Sequence, residues 1–227
     1  MTALDSPLYL HEEIMLLVLR DEQGTIEFGA WYNQALGSAV LSELLLAERI
    51  AIDDGKKHLV DLVSDRPIGE PVIDECLSKI VLAKRRASAT NWVSRFGNLK
   101  QLKHRVARGL CKRDILRADE DKVLLLFSRK IYPEVNPIPE RELIDRMREA
   151  IFTDVEPVDI RTVILVSLAN ACDLLKFPFD KKDLKRRAKR IEQLSNGDLI
   201  GQAAKEAIQA IQAAIVVAAV MPAIVAH

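Results

Sequence analysis

The chain has 227 residues, 49% hydrophobic and 29% charged, enough for a sizeable core and ordinary for a folded globular protein. Its 33 basic and 33 acidic residues cancel, which excludes a protein that coats nucleic acid through net charge. Aromatics make up only 5%, and Gly and Pro number nine each, so helices are expected to dominate.

The opening "MTALDSPLYLHEE" holds no basic stretch followed by an apolar one, so no signal peptide is expected. Leu10, Ile14, Leu17 and Val18 form a helical stripe within Leu8 to Leu19, which "RDEQGT" ends. A second helix is predicted from about Trp31 to Glu48, with Leu36, Val40, Leu44 and Leu45 on one side. "RIAIDDGKKHLVDLV" then reads as a β-hairpin turning at Asp54-Gly55, where glycine would supply the positive φ of a tight turn.

The same order returns 65 residues later, where Leu45 corresponds to Leu110. "RVARGLCKRDILRADEDKVLLLF" reads as a helix, a short strand, a polar turn at Asp119 to Asp121 and a second strand. A helix followed by a hairpin, twice over, predicts two winged-helix-like units. Beyond Pro139, helices are predicted over roughly 140–152, 158–176, 180–194 and 199–220. Within the last, Ala213 to Ala226 is uncharged and apolar but shorter than the ~20 residues that cross a bilayer, so it reads as a buried helix. The basic run "PFDKKDLKRRAKR" reads as a solvated helix face. With no Gly/Ser/Pro-rich linker, the expectation is one domain over 1–227, mainly α-helical with two short β-hairpins.

Enzyme signatures are absent: there is no phosphate loop, dinucleotide fingerprint or nucleophile elbow. His11-Glu12-Glu13 opens a helix without the second His that a zinc motif needs, and the other histidines lie far apart in sequence. Cys76, Cys111 and Cys172 read as reduced, buried thiols. A non-enzymatic protein without cofactor or metal is expected.

The strongest signal is segregated charge. From Cys76 to Arg113 there is no Asp or Glu, while eleven Lys and Arg accumulate. In "GNLKQLKHRVARGLCKR", Leu99, Leu102, Val106 and Leu110 fall on one helical face and Arg105, Arg108 and Lys112 on the other. With Asn98 as N-cap, Lys100 and Lys103 would sit in the first turn beside free amides and the positive end of the helix dipole. That combination suits a phosphate group. A solvated amphipathic helix, with its acids on neighbouring elements, is the other reading.

The blocks "LYLHEEIMLLVLRDEQGTI", "LSELLLAERIAI", "LKQLKHRVARGLCKRDIL", "VLLLFSRKIYP" and "DIRTVILVSLANACDLL", collinear from about Leu8 to Val220, resemble the Golgi phosphoprotein 3 family. The resemblance implies a mostly helical peripheral membrane adaptor on the cytosolic membrane face. It would bind phosphatidylinositol 4-phosphate, capture the cytosolic tails of membrane proteins and self-associate. The family's paired basic residues, Arg in the eukaryotic members, fall on Lys100 and Lys103, and its pocket Trp on Phe28 or, with the loop shifted, Trp31. A further pocket Arg falls at Gly37, where no charge exists. The membrane hairpin falls on Leu124, Leu125, Leu126 and Phe127, a consecutive apolar run. The chain begins almost at its first helix, which is similar to bacterial relatives, where another acidic lipid could be the ligand. The competing class is a winged-helix-like nucleic-acid binder, against which stands the lack of any Lys or Arg between Asp21 and Glu48.

Overall fold

A computed structural model describes residues 7–20, 25–26, 32–123 and 127–199. Within them the chain runs α1 (Leu10–Val18), β1 (Leu19–Arg20), β2 (Thr25–Ile26), α2 (Tyr32–Leu46), β3 (Ile50–Ile52), β4 (Val60–Leu62) and α3 (Pro71–Val81). It continues through α4 (Ala89–Gly97), α5 (Leu102–Lys112), β5 (Asp119–Val123), β6 (Phe127–Ile131), α6 (Ile138–Phe152), α7 (Ile160–Ala171), α8 (Lys181–Arg186) and α9 (Ala188–Ser195). The fold is mainly helical, as expected, with the hairpins β3–β4 and β5–β6 and a two-residue antiparallel contact between β1 and β2.

The α1 helix is the centre, since every one of its residues is buried, not only the apolar stripe. Its His11, Glu12 and Glu13 are therefore interior groups, and each acid meets an arginine from a surrounding element. Arg113, just beyond α5, donates to Glu12 at 2.8 Å, and Arg146 of α6 donates to Glu13 at 2.6 Å. Glu43 of α2 accepts from Leu10 N–H at 2.6 Å and from Arg161 of α7 at 2.7 Å. Burial, helped by the nearby charge of Glu43, raises the Glu13 pKa, and the Arg146 and Arg161 guanidinium groups pull only part of it back. Pairing is what makes buried charge tolerable here.

The α2 helix packs most extensively on α4, and glycines make this possible. A Cβ on Gly37 would lie 2.2 Å from the Val93 carbonyl oxygen, and one on Gly97 would lie 2.3 Å from that of Asn33. Both obstacles are backbone, so they cannot rotate away. Gly37→Ala is expected to lose about 3 kcal/mol, read as a melting temperature lower by roughly 6–12 °C. An unchanged melting temperature would mean the two helices separate at little cost.

Several expectations need correction. The first hairpin does not turn tightly on Asp54-Gly55. The loop runs from Asp53 to Leu59, with Asp53 Oδ1 accepting Leu59 N–H at 2.8 Å, and positive φ falls on His58 at 45°. Asp119 to Asp121 lie in strand β5, not in a turn, because Asp119 pairs with Ile131 and Val123 with Phe127. The helix predicted over 180–194 breaks at Arg187 into α8 and α9. Cys111 is half-buried, whereas Cys76 and Cys172 are buried, and all three are free thiols. The helix predicted over 199–220 lies outside the described residues except at Leu199.

The basic run is likewise not wholly a solvated face. Arg187 donates to the carbonyl oxygens of Ile151 and Thr153, at 2.8 and 2.7 Å. Arg190, only 6% exposed, donates to those of Ala150 and Val155, at 3.1 and 2.6 Å. Two guanidinium groups thus satisfy the carbonyl end of α6, where the helix dipole favours cations. Arg190→Ala is expected to destabilise by about 2 kcal/mol in urea titration. Lys189→Ala, removing an exposed neighbour, should change almost nothing.

Candidate functional site

The close crossing of α2 and α4 fixes where α4 stops and hence where the paired lysines stand. Asn98 is the C-cap of α4, its Nδ2 donating to the Ser94 carbonyl oxygen at 2.8 Å, so it is not the N-cap of the next helix. The chain turns through Leu99 and Lys100 to Gln101, which is left-handed at φ 56°, ψ 28° and forms the N-cap of α5 without a side-chain bond. Leu102 N–H bonds Leu99 oxygen at 3.1 Å, and Arg105 N–H to Gln101 oxygen, at 3.0 Å, is an opening i to i−4 bond of α5. Lys100 therefore precedes the helix, and only Lys103 lies in its first turn.

The predicted apolar face is met. Leu102, Val106 and Leu110 are buried at 3%, 1% and 0% exposure, and Leu99 is half-buried. The predicted basic face is only partly available. Arg105 is held by Glu75 at 2.6 Å and Arg113 by Glu12 at 2.8 Å, so neighbouring acids do consume part of the segregated charge. Lys100, Arg108 and Lys112 are exposed and have no ion pair among the described residues.

Lys103 is half-buried, and that desolvation holds its ammonium below the usual lysine range. An anion arriving beside it would offset the lost solvation. Burial, then the charges of Lys103, Lys130 and Arg108, hold the His104 imidazole below its ordinary value. The local positive charge thus rests on the lysines and the helix end, not on histidine.

His104 has a second role in the geometry. Its Nδ1 lies 2.9 Å from the Tyr132 hydroxyl, immediately after β6, so the first turn of α5 is tied to the base of the β5–β6 hairpin. Two features predicted separately, the lysine pair and the hairpin, are thereby neighbours. Phe127 is the first residue of β6, paired with Val123. Phe28, Trp31, Leu124, Leu125 and Leu126 lie outside the described residues. Gly37, aligned with a charged pocket residue, stands where no side chain fits.

Nothing among the described residues gathers three or more His, Cys, Asp or Glu side chains that could hold a metal. Burial pushes the Cys172 thiol up to about 12 and raises that of Cys76 as well, which makes both poor nucleophiles. No described helix is long and apolar enough to cross a membrane.

Comparison with known proteins agrees with this architecture. The family model described as Golgi phosphoprotein 3 matches residues 10–211. The chain is also similar to vacuolar protein sorting-associated protein 74 of Schizosaccharomyces pombe, with 26% identity over 225 residues. That similarity covers 82% of the chain but 66% of the relative, so the chain spans slightly under two thirds of the yeast protein's length.

Proposed function

Because the chain belongs to the Golgi phosphoprotein 3 family, we propose that it is a peripheral membrane adaptor, not an enzyme, that grips an anionic lipid head group on the cytosolic membrane face. The similarity to a yeast protein named for vacuolar sorting supports an adaptor role. The observation that carries the reading is the joining of Lys103's helical turn to the base of the β5–β6 hairpin through His104 and Tyr132. In this reading Lys100, Lys103 and the amides of α5 that follow Leu102 meet the phosphate, with Phe28 or Trp31 beside it. Leu124, Leu125, Leu126 and Phe127 enter the apolar margin of the same leaflet.

Phosphatidylinositol 4-phosphate is the head group that family membership favours. Lysines supply compact charge without the bidentate fork of arginine, so they would accept a phosphomonoester while imposing little geometry. A single footing of this size is weak, and self-association on the membrane would multiply it. The adaptor's other partners would be cytosolic tails of membrane proteins.

Vesicle sedimentation with phosphatidylinositol 4-phosphate, phosphatidylglycerol and phosphatidylserine at matched charge tests the proposal. Retention strongest on the phosphoinositide is expected. Equal retention on all three would mean attraction by charge alone. Absence from every pellet, with a mobility shift on mixed-sequence duplex DNA, would favour the nucleic-acid reading instead.

A further inference from the structure

The described residue with the most exposed large apolar side chain is Leu82, the C-cap of α3, at 80%, and its neighbour Val81 is 40% exposed. A lone exposed leucine is ordinary on a protein surface, but one that adjoins an exposed valine and a run of cations marks a candidate interaction site. Lys84, Arg85 and Arg86 follow within the α3–α4 loop, and all three are exposed.

This loop is fastened in place. Val60 N–H bonds the Ala87 oxygen and Ala89 N–H the His58 oxygen, each at 2.9 Å, so the loop's end lies along the β3–β4 hairpin. Arg86 reaches both Asp53 and Asp61 of that hairpin, at 2.7 and 2.5 Å, and so occupies two nearby acids. Lys84 and Arg85 are left without an ion pair among the described residues, as are Lys56 and Lys57 in the adjoining hairpin loop. Asp54, in the same loop, offsets one of those charges. An exposed leucine flanked by uncommitted cations, held on a braced loop, matches an anionic bilayer surface: apolar side chains enter the interface while ammonium and guanidinium groups stay at the phosphates.

The position relative to the lysine pair strengthens the match. The α4 helix separates the two and has nine residues, about 14 Å of axis. Its exposed residues Asn91, Ser94 and Arg95, with its C-cap Asn98, include no acid and recur at helical spacing, so one acid-free strip runs from the loop to Lys100. We propose that Val81, Leu82, Lys84 and Arg85, with Lys56 and Lys57, form a second footing on an anionic lipid bilayer, with α4 lying along the membrane surface between the two contacts. This rests on the membrane reading above. It differs in asking for surface charge and apolar depth, not for a particular head group.

Phosphatidylcholine vesicles containing phosphatidylglycerol but no phosphoinositide test it, using the full chain with Leu82→Ser or with Lys84→Glu plus Arg85→Glu. The substituted side chains are exposed, so folding is not at stake. Each basic residue near an anionic surface is worth about fivefold in partitioning, and reversal turns each attraction into a repulsion, so the charge variant is expected to bind on the order of a thousandfold more weakly. Leu82→Ser is expected to lose about fivefold. The charge variant's deficit should shrink as salt rises and the leucine variant's should persist, because only the former is screened. If both variants sediment like the parent while Lys100→Glu plus Lys103→Glu does not, the second footing is wrong and the lysine site stands. If the parent sediments with neither these vesicles nor phosphoinositide vesicles, the second footing and the membrane reading fall together.

Discussion

Glu43→Ala is expected to remove ~3–5 kcal/mol of stability, a large share of the ~5–15 kcal/mol that a domain has. The carboxylate is 4% exposed and does two jobs at once. One oxygen accepts Leu10 N–H at the start of α1, and the pair accepts the Arg161 fork at 2.7 and 3.3 Å. Arg161 also donates to the Leu8 oxygen at 3.0 Å, so one contact joins the entry to α1, helix α2 and helix α7. Burial lowers the Arg161 pKa, and Glu43, joined by the charges of Glu13 and Asp159, more than restores it, so the guanidinium remains charged. Alanine would leave that charge and the Leu10 amide without their partner. Glu43→Gln, keeping an oxygen and most of the volume, should lose clearly less. Urea titration by circular dichroism should show a lower midpoint with unchanged slope for Glu43→Ala. A loss below ~1 kcal/mol would mean that water replaces the carboxylate freely.

The residues that were readable in the sequence were those whose role is set locally. Leu102, Val106 and Leu110 lie on one face by spacing alone, and that face is buried. The two hairpins were visible because helical periodicity stops before each. The α4 helix was not separately visible, since nine residues with Trp92, Val93 and Phe96 as their large apolar groups give barely two turns of pattern. Asn98 illustrates the limit more sharply. Asparagine suits either end of a helix, and what decides its role is the contact of Gly97 with Asn33 on a helix distant in sequence. Likewise, the left-handed residues His58 and Gln101 are not glycines, so no residue type announced them. The charge accounting failed for the same reason. Arg113 meets Glu12 across 101 positions, and Arg161 meets Glu43 across 118, partnerships that only the packed core defines.

Lys100→Glu plus Lys103→Glu is expected to abolish vesicle binding while leaving the fold intact. Lys100 is exposed and Lys103 half-buried at the second position of α5, so neither anchors the core. Glutamate in a first helical turn is compatible with the dipole, which makes the reversed charge cheap for folding. Membrane partitioning responds quite differently. Two attractions become two repulsions at ~1 kcal/mol each, a change of ~4 kcal/mol, or on the order of a thousandfold. Lys100→Arg plus Lys103→Arg keeps the charge and adds two forks, so its affinity should hold or rise and its preference for a phosphomonoester should sharpen.

The most direct measurement is co-sedimentation of the parent and the Lys100→Glu plus Lys103→Glu chain with vesicles containing phosphatidylinositol 4-phosphate, after matching melting temperatures establish that both are folded. The parent should pellet with the lipid and the variant should stay in the supernatant. Equal pelleting of the two would show that these ammonium groups do not hold the bilayer.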